Sequence, residues 1–80
     1  MELKMIENRS LLCEVATSLA GELYNLSLVN SKQKDMLLKL QANVFFLKEE
    51  IALCDSDAKM KILEEHLEKI RKFVSEVQNG

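Results

Sequence analysis

His66 is the only histidine of the 80-residue chain, and Cys13 and Cys54 are its only cysteines. These side chains are the first candidates for acid–base, nucleophilic or metal chemistry. Only histidine titrates near neutrality unperturbed, and the thiolate is a strong nucleophile and metal ligand. A catalytic histidine needs a nucleophile or a second base within hydrogen-bond reach. His66 stands between Glu65 and Leu67 with no nucleophile motif around it, so it is expected to be a solvated or flank-packing residue. Structural zinc sites draw two ligands from one turn, as C-x-x-C or H-x-x-x-H. Cys13, Cys54 and His66 supply neither spacing. Asp55-Ser56-Asp57-Ala58-Lys59 begins like a calcium loop, but Lys59 takes the fifth position, Met60 the place of the turn glycine and His66 that of the glutamate. Helix capping accounts for the same acids. G-x-S-x-G, H-E-x-x-H and Gly-rich phosphate loops are missing from the sequence. The expectation is a protein that binds and does not catalyse, with no catalytic residue, metal or cofactor.

Composition narrows the partner. Eleven Lys and Arg against thirteen Asp and Glu leave a net charge of −2, without the clustered positive charge that a nucleic-acid footprint needs. No apolar run exceeds four residues, as at Val44 to Leu47, far short of the roughly 20 residues of a membrane span. The acids among the later lysines dilute any basic amphipathic face suited to a lipid surface. The first residues carry Glu2, Lys4, Glu7 and Arg9, unlike a secretory signal. The cytoplasm is the expected compartment, and the cysteines are expected to be reduced core thiols. Another protein chain remains as the expected partner, with neither nucleic acid nor membrane.

The elements that must position a binding surface are helices. Proline is absent and glycine occurs only at Gly21 and Gly80, whereas a small β-fold needs turn residues throughout. Three segments carry steps of three and four, the mark of one helix face. Residues 6–29 hold Leu12, Ala16, Leu19, Leu23 and Leu26, with Leu11 and Val15 widening the stripe. Residues 32–54 hold Leu37, Leu40, Val44, Leu47, Ile51 and Cys54. Residues 58–78 hold Met60, Leu63, Leu67, Ile70, Val74 and Val77. Asn30-Ser31-Lys32-Gln33 reads as a turn-back, with Asn30 or Ser31 capping the second helix and Gln33 as a reciprocal partner. Asp55, Ser56 and Asp57 are all good caps for the third, and Asn79-Gly80 reads as its stop. Glu65 with Lys69 and Glu68 with Lys72 are favourable pairs one turn apart. Gly21 marks either a close helix–helix approach or a weak point in the first helix. The predicted fold is an all-α, three-helix antiparallel hairpin or bundle with coiled-coil-like seams, formed by residues 1–80 as one helical domain.

Such a chain hides only about 60% of its unfolded surface, so its core is thin and association is the most available support. The second helix carries more apolar arc than one neighbour needs, with Leu38, Phe45 and Ala52 beside the seam and Phe46 and Leu53 further round. Phe45 and Phe46 project about 100° apart on a helix. Either one ring is left for a partner, or the central helix hides both between two neighbours. Leu38, Phe45, Phe46, Leu53, Ile62 and Phe73 are the candidate partner-binding residues, with Tyr24 and Met36 near the first turn as possible additions to the same surface.

This organisation resembles that of the small co-chaperones of type III secretion needle subunits, with the turn at Asn30 to Gln33 and binding stripes around Leu37 and Met60. The resemblance covers length, charge, cysteine content and helix plan. It implies a helical hairpin that pairs with a larger chaperone and shields apolar helical surface in a secretion system. The alternative is a self-associating bundle, a homo-oligomer whose seams pair with themselves.

Overall fold

The computed structural model describes the backbone of residues 2–79 and the side chains of residues 8–79. It contains three helices: α1, Glu2–Val29; α2, Lys34–Ala52; and α3, Asp57–Asn79. The fold is an all-α bundle, as the three-and-four spacing predicts. Short connections at 30–33 and 53–56 turn the chain back twice, so neighbouring helices run antiparallel and α1 and α3 run parallel. The long dimension of 44 Å is about the length of a 28-residue helix at 1.5 Å per residue. α1 and α2 share the most extensive packing, and α3 lies against both more sparingly.

The core follows the sequence stripes. Ala16, Leu19 and Leu23 of α1 meet Leu37, Val44, Leu47 and Ile51 of α2, and α3 closes the bundle with Met60, Leu63, Leu67 and Val74. Burying each of the larger side chains contributes about 1.5–3 kcal/mol relative to leaving it in water. Ala20 and Ser27 also lie in the α1 core face, which the stripe of large residues does not mark. The Ser27 hydroxyl is satisfied locally, donating to the Tyr24 carbonyl at 2.6 Å. Leu11, expected to widen the stripe, is exposed, while Val15 is half-buried.

The element ends show which capping chemistry prevails. The Gln33 backbone N–H donates to Asn30 Oδ1 at 3.2 Å, and Asn30 Nδ2 donates to Gln33 Oε1 at 3.0 Å. The pair is reciprocal, but through two side chains, and it pins the turn so that α2 begins at Lys34, later than the expected 32. α2 ends at Ala52, before the expected 54. There the Leu53 N–H bonds the Glu49 carbonyl and the Cys54 N–H reaches back only three residues to Ile51. Cys54 is nonetheless buried, with its thiol on the Ser56 carbonyl at 3.2 Å. Among the three candidate caps of α3, Ser56 is used: its Oγ accepts the Lys59 N–H at 3.1 Å. The Glu68 carboxylate takes Arg71 at 3.0 Å, three residues on, in place of the expected Lys72. Gly21 is exposed in a continuous helix, and a Cβ built there meets nothing within 4 Å. It is therefore a weak point and no close-approach notch. Gly80, read as a helix stop, lies outside the described residues.

Candidate functional site

α2 has one face committed to α1 and an adjoining face turned toward α3. The sparse packing of α3 against α2 leaves an open cleft of roughly 500 Å³ between them. Its floor is made by Leu47 and Leu63, with Leu40 and Ile70 half-buried beside them. Phe46 rises from the α2 side and is 66% exposed; Ile62 rises from the α3 side and is 55% exposed. Asn43, Glu50, His66 and Lys69 form the polar rim. A floor of aliphatic side chains, an aromatic wall and a charged rim are the parts from which helix-accepting grooves are built.

None of the other predicted residues lines this cleft. Phe45 is 48% exposed and shares the opposite flank of α2 with half-buried Leu38, seven residues earlier. That flank adjoins α1, where the Cys13 thiol touches the Lys48 carbonyl at 3.8 Å. Phe73 is half-buried and packs on the core, beside Val77 and the Asn30–Gln33 turn. Leu53, in the turn after α2, is 84% exposed. Phe46 and Ile62 are thus brought together, while Leu38 and Phe45 stand on another face. Tyr24 and Met36 are both exposed but do not share one surface. Tyr24 continues the α1 stripe of Cys13 and Thr17, and Met36 stands on the α2 stripe of Asn43 and Phe46.

Sequence reasoning did not single out Asn43, Glu50 and Lys69 as part of the site. The signal was present: Asn43 and Glu50 lie three before and four after Phe46, and Lys69 lies seven after Ile62. Polar residues at such steps read as solvated face until the neighbouring helix is placed. His66 is exposed on the rim. Among the described residues no three His, Cys, Asp or Glu side chains converge on a possible metal position. Both cysteines are unbridged. No described helix is long and apolar enough to cross a membrane.

Comparison with family models, with curated proteins and with solved structures finds no match to this chain.

Proposed function

We propose that this chain is a protein–protein interaction module of the adaptor or co-chaperone kind. It holds an amphipathic helix of another protein chain against the α2–α3 face and shields the apolar side of that helix. The observation that supports the reading is the convergence of Phe46 and Ile62, both more than half exposed, over the Leu47–Leu63 floor. An aromatic ring held at the wall of an apolar groove is the usual anchor of a helix-in-groove contact. The reading assigns binding, not catalysis, to the surface, and His66 serves as a rim residue. The resemblance to needle-subunit co-chaperones suggests a secretion system as the setting and the cytoplasm as the place of action.

The test is affinity capture from the native source with three baits: wild type, Phe46→Ser and Phe45→Ser. Far-ultraviolet circular dichroism confirms that each is folded. The reading expects Phe46→Ser to lose the captured chain and Phe45→Ser to keep it, with helicity equal in all three. Equal capture by all three, or loss of helicity in both variants, overturns it.

A further inference from the structure

We infer that the chain occupying the α2–α3 face is a second copy of this protein, related to the first by a two-fold axis that sets the helices antiparallel. The inference rests on the interaction-module reading above and names its partner. Its basis is the charge order along the exposed face. Met36, Lys39, Asn43, Phe46, Glu50 and Leu53 follow one another at steps of three, four, three, four and three, and all six are exposed. The first five form a second heptad stripe on α2, distinct from the core seam, and Leu53 extends it into the turn after the helix. When two copies of this stripe pair antiparallel about a point between Val44 and Phe45, Met36 faces Leu53 of the second copy. Lys39 then faces its Glu50, and Asn43 faces its Phe46. Apolar meets apolar, cation meets anion, and the amide lies against the ring. Each contact occurs twice, as an isologous interface requires. A parallel pairing in register sets Lys39 on Lys39 and Glu50 on Glu50, which like-charge repulsion opposes.

α3 carries the matching arrangement. Lys59, Ile62, His66, Lys69, Phe73 and Glu76 repeat the same steps, and all but half-buried Phe73 are exposed. About a point between Leu67 and Glu68, Lys59 faces Glu76 of the second copy and Ile62 faces its Phe73. His66 faces Lys69 of the second copy, a layer with neither an apolar nor an ionic match. Because α2 and α3 are antiparallel neighbours through the 53–56 turn, the two axis points lie level to within one helical turn, and one two-fold serves both helices. The result is a core of four helices, α2 and α3 from each copy, with α1 outside. Two helices with independent sequences carry opposite charges at mutually facing positions about one common axis.

The test is light scattering on the purified chain across a dilution series from about 100 μM to about 1 μM, with Lys39→Glu, Glu50→Lys and the double variant. Both substituted positions lie on the exposed face, so circular dichroism is expected to stay unchanged. Wild type should show twice the 9.2 kDa chain mass and dissociate on dilution. Each single swap should weaken the dimer roughly 10- to 100-fold, because both symmetry-related pairs turn repulsive. The double swap should restore wild-type association. Single-chain mass for wild type throughout, or a double variant no tighter than the single swaps, overturns the inference. If wild type is monomeric and capture still depends on Phe46, only the second-copy partner falls. If it is monomeric and capture is indifferent to Phe46, the module reading falls with it.

Discussion

The two grooves that flank α3 have opposite character. On the α1 side the cleft is lined by Val15, Leu19, Ser18, Glu22 and Arg71, and of its apolar residues Leu19 is buried and Val15 half-buried. On the α2 side the cleft exposes Phe46 and Ile62 above Leu47 and Leu63, with the charges withdrawn to the rim. One helix borders both, and both are open to water. A groove alone is therefore no sign of a partner. What distinguishes the α2 side is large apolar surface left in contact with solvent on both walls of the cleft, and covering it is favourable.

Removing the support common to both grooves should produce the largest change. Leu67 is almost fully buried on α3 between them, and Leu67→Ala should cost about 2–5 kcal/mol. Urea titration followed by circular dichroism reads this as a lowered midpoint, and a cost below 1 kcal/mol would mean that α3 is not seated as described. Next in size is the direct contrast between the clefts. Phe46→Ser should lower association with the partner chain by about 2 kcal/mol, some thirtyfold, with little effect on the urea midpoint. Arg71→Ala, in the polar cleft, should leave association unchanged and move stability by no more than about 0.5 kcal/mol, since its exposed pair with Glu68 contributes little. Equal effects on association from the two substitutions would erase the distinction between the clefts.

Smaller effects test how firmly α3 is held beside each groove. Ser56→Ala removes the cap of α3 and should destabilise the chain by about 1 kcal/mol. Asp55→Ala, at a position of equal capping chemistry that supplies no cap, should be nearly neutral. Gly21→Ala lies on the exposed side of α1 and meets no neighbour. It should stabilise by about 0.5–1 kcal/mol through the unfolded chain and the helix interior, and should leave partner association unaltered.

These contrasts mark what the sequence makes legible. The three helices follow from apolar steps of three and four, because Leu12 to Leu26, Leu37 to Ile51 and Met60 to Val77 repeat the geometry of one helix face. Ala20 and Ser27 are buried, yet small or polar side chains carry little hydropathy signal. The choice of Ser56 over Asp55 and Asp57 depends on where the chain leaves the Cys54 turn, which residue type does not reveal. Phe45 and Phe46 are chemically identical neighbours. Their separation onto different flanks becomes meaningful only once α3 is seated beside one of them, a long-range fact with no local trace. The rim residues Asn43, Glu50 and Lys69 become legible for the same reason: a polar residue at a heptad step is solvated surface until a neighbouring helix makes it the edge of a groove.

Whether the α2–α3 face is covered in the assembled protein can be read by hydroxyl-radical footprinting of Phe46 and Ile62, with Tyr24 and Phe45 as references within the same molecule. The assembled chain, as isolated from its native source, is compared with the dilute chain alone. Phe46 and Ile62 are expected to lose reactivity several-fold on assembly while Tyr24 and Phe45 keep theirs. Phe46 and Ile62 reacting equally in both states, with Tyr24 and Phe45 protected instead, would contradict coverage of that face.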